Sequence, residues 1–130
     1  MQDRPEASAL LDAIADFLMK EILPAVKNSD ALAYKTLVSW NMLGVVSREI
    51  KDAEGLLNSE LERLAKYLGE PNALPPTAKQ KAALAAELNA RLAEKIRTQK
   101  LTPADSEVLS LVKQGLLEKL QIANPRFGTD

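Results

Sequence analysis

Tyr34, Trp40, Asn41 and Arg48 are the side chains best suited to recognise another molecule, and all four fall in one stretch, "ALAYKTLVSWNMLGVVSREI", residues 31–50. Its apolar residues recur at helical spacing. On a helical wheel Tyr34, Leu37, Val38, Asn41, Val45 and Arg48 share one face. Trp40, Gly44 and Ser47 share a second, and Met42, Val46 and Glu49 a third. Apolar groups spread this widely place the helix at the centre of a fold or beneath a partner. Asn41, if buried, needs partners, because an unpaired buried amide costs about 1–3 kcal/mol. Two readings follow. Asn41 bonds a neighbouring helix end or the loop near Pro24 and fixes register, or it lines a partner or ligand groove with Arg48 and Tyr34. Arg48 also has Asp52 four residues on, an ordinary helical ion pair. Trp40 is either core or the anchor of an interface. Gly44, one turn later, leaves room for the indole or for another helix.

Catalytic chemistry finds few carriers. The 130 residues include no histidine and no cysteine. A Ser-His-Asp triad, a thiol nucleophile, a thiolate zinc site and a Glu-x-x-His di-iron site are therefore excluded. The glycines at 44, 55, 69, 115 and 128 form no phosphate-binding loop and no dinucleotide fingerprint. A carboxylate-only Mg²⁺ site is conceivable. Glu60 and Glu62, however, are too close in sequence to face the same way on a helix. The sequence thus points away from an enzyme, and to no metal or cofactor.

Seventeen basic residues nearly balance eighteen acidic ones, a formal net charge of −1. A nucleic-acid binder carries a clustered basic excess instead. Arg91, Lys95, Arg97 and Lys100 come closest to a patch, but Glu87 and Glu94 lie among them, which reads as a solvated face. The longest uncharged stretch, residues 36–47, is twelve residues, short of the roughly 18–20 that a membrane span needs. "MQDRPEASALL" has charges where a signal peptide needs an apolar core. A cytoplasmic location is expected.

The elements that position these residues are helices. The length suits one domain, which can bury roughly two thirds of its unfolded surface. Asp3 and Glu6 read as a capping box, with Pro5 in the first turn. Leu10, Leu11, Ile14, Phe17, Leu18 and Ile22 form an apolar stripe, and Pro24 should kink or end the helix near Leu23. Ser29 or Asp30 caps a second helix running to about Asp52. Gly55 and Asn58 favour a break there. The "SELE" box at 59–62 then starts a new or bent segment to about Leu68, and Gly69 supplies a left-handed end. "EPNALPP" is a loop. "TAKQ" at 77–80 caps an alanine-rich helix carrying Leu84, Leu88, Leu92 and Ile96. "TPAD" at 102–105 caps a last helix with Val108, Leu109, Val112, Leu116, Leu117 and Leu120, ended by "NPRFGTD". No strand signal competes. The expected fold is all-α: a single bundle domain, residues 1–130, of four to five mostly antiparallel helices.

Three stretches carry a resemblance. "MQDRPEASALLDAIADFLMKEILPAV", with Glu21 and Pro24 as a Glu-x-x-Pro pattern, resembles the start of a bacterial family of small helical proteins of unknown function. "NMLGVVSREI" is similar to that family's second-helix motif. "KLQIANPRF" is similar to its C-terminal signature of apolar-Ala-Asn-Pro-Arg-aromatic. The chain departs from the pattern before Asn41, where the family often has His and Arg and this sequence has Lys35 and Leu37. Members are typically encoded beside an aminoglycoside-phosphotransferase-like kinase and an acyl-CoA dehydrogenase. The resemblance implies a role like that of the small accessory subunit of the hydroxyacyl-CoA kinase of levulinate catabolism. The expected partner is that kinase, which performs the phosphoryl transfer. The candidate interface residues are Trp40, Asn41 and Arg48, with Asn124, Pro125 and Arg126 second. Two alternatives stay open: an acyl-CoA-type ligand in the bundle, with Arg48 or Lys35 on its phosphate, and a homodimer in which the apolar second-helix face meets its own copy.

Overall fold

A computed structural model describes residues 4–127. Every regular element among them is helical: α1 (Ala7–Phe17), a π turn at Leu18–Ile22, α2 (Leu23–Ala25), α3 (Asp30–Leu68), α4 (Ala78–Thr98) and α5 (Ser106–Ala123). The all-α reading holds, and no described helix is long and apolar enough to cross a membrane. Packing gathers the chain into two compact units, Met1–Ala53 and Glu54–Asp130.

In the N-terminal unit, α1 begins one turn later than its sequence signals suggest. Glu6 is the N-cap and its carbonyl accepts from Leu10 N at 3.1 Å, so Pro5 precedes the helix. Asp3 lies outside the described residues. Pro24 does not end the helix at Leu23. The chain instead widens into a π turn, in which Leu23 N donates to Leu18 O five residues back. That wider turn accommodates a residue with no N–H and a ring that crowds the carbonyl four residues before it. Helical geometry stops at Ala25, and Ser29 starts α3 by accepting Ala33 N at 2.9 Å.

The expected break near Gly55 and Asn58 is absent: α3 runs unbroken for 39 residues. Ser59 opens no new helix. Its hydroxyl donates back to Gly55 O at 3.1 Å, within the helix. Continuing through a glycine costs about 1 kcal/mol. That is small beside what the following turns bury, because Leu61, Leu64 and Ala65 are core. Gly69, at φ +72, then ends α3 as expected. Glu70 N reaches Ala65 O at 2.9 Å and Gly69 N reaches Lys66 O at 3.4 Å, a Schellman arrangement.

In the C-terminal unit, Leu61, Leu64 and Ala65 of α3 pack with Ala85, Leu88 and Leu92 of α4, and Leu111 of α5 lies against this cluster. The spacing-four series Leu84, Leu88, Leu92 and Ile96 is therefore core or core edge. Thr77 caps α4, accepting from Gln80 N at 3.3 Å. "TPAD" behaves differently. Thr102 N donates to Asp105 Oδ2 at 2.7 Å and Asp105 N to Thr102 O at 2.9 Å, closing a separate turn. The helix proper starts at Ser106, three residues after the Pro103 start read from the sequence. In α5, Val108 and Ile122 are buried, while Leu109, Val112 and Leu116 are exposed.

Candidate functional site

The N-terminal unit is an antiparallel pair of helices that meet through small side chains. Ser8 and Ala15 are buried on α1, Thr36 and Ser47 on α3. The Ser47 hydroxyl donates to Asp12 Oδ1 at 2.6 Å, with Ser8 O 3.3 Å away, and Lys51 Nζ donates to Asp12 Oδ2 at 2.6 Å. These bonds hold the Asp12 carboxyl below its ordinary pKa, Lys51 contributing most and Ser47 next. They also mark one edge of the contact as polar.

The opposite edge is apolar and open. Helical geometry puts Leu32, Val46 and Ile50 of α3 on that side, and Leu10, Ile14 and Phe17 of α1 are exposed as well. Phe17 is 52% and Ile50 53% exposed. None of the six residues of the α1 apolar stripe is buried, because the small face of α1, not its large one, meets α3. Ser8 and Ala15 sit two turns apart on α1, and the backbone carbonyl of Ser8 lies 3.3 Å from the Ser47 hydroxyl of α3.

The recognition residues of α3 separate. Trp40 is half-buried on the side of Thr36 and Ser47 that meets α1. Asn41 is exposed, so it is no buried register pin. Arg48 is half-buried, and its Nη1 lies 3.2 Å from where a Cβ on Gly44 would stand. The glycine therefore makes room for the guanidinium. Tyr34, 70% exposed, and exposed Leu37 complete a strip with Asn41 and Arg48 along one side of α3. This strip mixes an aromatic ring, an aliphatic group, an amide and a guanidinium.

Asn124, Pro125 and Arg126 lie in the C-terminal unit. Asn124 ends α5, donating N–H to Leu120 O at 2.7 Å. Its carbonyl accepts Phe127 N at 3.0 Å, which closes a β-turn with Pro125 in the position where its fixed φ fits. The turn leaves Phe127, a residue the sequence reading passed over, 62% exposed.

Other charged groups are spent on structure. Glu60 Oε1 accepts from Asn89 at 3.0 Å and from Lys119 at 3.1 Å, linking α3 to both α4 and α5. Arg63 pairs with Glu118. Buried Lys81 reaches Glu54 at 2.7 Å, and that bond, followed by the lysine charge, lowers the Glu54 pKa. The basic run of α4 is largely paired: Arg91 with Glu70 and Glu87, Arg97 with Glu94, and Lys95 over the Tyr67 ring at 4.2 Å. Among the described residues no group of three or more carboxylates is placed to hold a metal ion.

No curated protein and no solved structure matches the chain. A family model described as Domain of unknown function (DUF6285) matches residues 24–127, from Pro24 through all of α3, α4 and α5 to the Phe127 turn, and the chain belongs to that family.

Proposed function

We propose that this chain is a non-catalytic binding partner of an aminoglycoside-phosphotransferase-like kinase acting on hydroxyacyl-CoA substrates. The observation that carries the reading is the strip of α3 bearing Tyr34, Leu37, Asn41 and Arg48. Tyrosine and arginine dominate the energetics of protein interfaces, and aliphatic and amide neighbours give the water-excluding, hydrogen-bonding surround that such anchors need. A sequence without histidine or cysteine suits a protein whose contribution is contact rather than bond-making. Phosphoryl transfer needs a phosphate cradle and a metal-holding carboxylate set, which the kinase would bring. The family resemblance, with its expected neighbouring kinase, names the partner.

The test is co-expression of the chain with the phosphotransferase-like kinase expected to be encoded beside it, only the kinase carrying a tag. The chain should co-elute. Tyr34→Ala and Arg48→Ala should each weaken association by about 2 kcal/mol if they are central anchors, with helicity unchanged. A tagged kinase that elutes alone sinks the proposal.

A further inference from the structure

The apolar side of the N-terminal helix pair continues onto a seam of α3 whose residues are their own complement. Lys35, Val38, Met42, Val46 and Glu49 follow one another at spacings of three, four, four and three. The seam is symmetric about Met42: valine answers valine, and a lysine at one end answers a glutamate at the other. Lys35, Met42, Val46 and Glu49 are exposed, as are Leu10, Ile14 and Phe17 of the neighbouring α1. Neither Lys35 nor Glu49 is in an ion pair within the described residues.

We propose that this surface is covered by a second copy of the chain, packed antiparallel with its two-fold axis at Met42. Rotation about that axis sets Met42 against Met42 and Val38 against Val46. It also brings Lys35 of each copy beside Glu49 of the other, so two ion pairs flank an apolar centre. A parallel pairing would instead set Lys35 against Lys35 and Glu49 against Glu49, which like-charge repulsion disfavours. The antiparallel pairing stacks one two-helix hairpin on another. The strip with Tyr34, Leu37, Asn41 and Arg48 borders the seam at Val38 and turns away from Met42, so the pairing leaves most of it open to a different protein.

Charge reversal tests the geometry without disturbing the fold, because both charged residues are exposed. Sedimentation equilibrium of the full chain alone, from low to high micromolar concentration, should show a dimer. K35E and E49K should each weaken association by about tenfold or more, since each places like charges together at both ends of the seam. The K35E/E49K double variant should restore the wild-type association. M42C supplies a second measurement, because the chain has no other thiol. Oxidation should link two copies at the axis, while Y34C, off the seam, should stay unlinked. A wild-type chain that stays monomeric throughout overturns the proposal. So does a dimer that both single reversals leave unchanged, or one that the double variant fails to restore. The chain is measured alone, so none of these outcomes bears on the kinase partnership.

Discussion

One substitution type, glycine to alanine, should change stability with opposite signs at a position inside α3 and at the position just past its end. Gly55 lies inside α3, and a Cβ added there meets nothing within 4 Å. Gly55→Ala therefore adds a methyl group without a clash and removes the helix-interior penalty of glycine, about 1 kcal/mol. Gly69 also has open space, but its φ is +72. An L-residue in that conformation costs about 1–2 kcal/mol, so Gly69→Ala should destabilise by about 1 kcal/mol after the unfolded-state gain is subtracted. Urea unfolding followed by far-UV circular dichroism reads both. With a slope of roughly 1–3 kcal/mol per molar, each change moves the midpoint by about half a molar, upward for Gly55→Ala and downward for Gly69→Ala. Gly55→Pro, which deletes an N–H inside the helix, should cost about 3 kcal/mol or more. A neutral or destabilising Gly55→Ala together with a mild Gly55→Pro would show that the chain bends at 53–58, refuting a continuous α3.

Lys100 repeats the helix end of Gly69 with the wrong residue type. Its φ is +52, Lys100 N reaches Arg97 O and Leu101 N reaches Ile96 O, so Lys100→Gly should raise the urea midpoint by the equivalent of about 0.5–1 kcal/mol. Leu61 is 1% exposed at the centre of the C-terminal cluster, and Leu61→Ala should cost about 2–5 kcal/mol in the same assay. Asp12 and Glu54 both have lowered folded-state pKa values, through Lys51 and Ser47 and through Lys81. Their contribution is complete above the unfolded carboxylate range of about 3.9–4.3 and is lost as pH falls through the lowered folded values. Midpoints measured from neutral to acid pH should fall in that window, and Asp12→Asn combined with Glu54→Gln should flatten the fall.

Helix identity was legible because it rests on periodicity and local caps. Thr77 with Gln80, the left-handed Gly69 and the Leu84–Leu88–Leu92–Ile96 series act within one or two turns, where sequence spacing is geometry. What failed were boundaries and faces. Gly55 and Asn58 look like a break because their intrinsic cost is visible in the sequence. The burial of Leu61 and Leu64 that outweighs it depends on α4, which local spacing does not reveal. The apolar stripe of α1 is visible in the sequence, yet the tertiary contact selects the small face of Ser8 and Ala15, which local spacing does not reveal. Asn41 and Arg48 stand out in an apolar helix, but how far each is buried depends on which side α1 covers. The self-complementary seam about Met42 was written in the sequence throughout. It becomes meaningful only once that side is known to be open.

The proposed kinase partnership is decided by the rate of hydroxyacyl-CoA phosphorylation by that kinase with and without the chain. The rate should be higher when the chain is present, the gain should shrink with Arg48→Ala, and the chain alone should phosphorylate nothing. An unchanged kinase rate, or phosphorylation by the chain without the kinase, would contradict it.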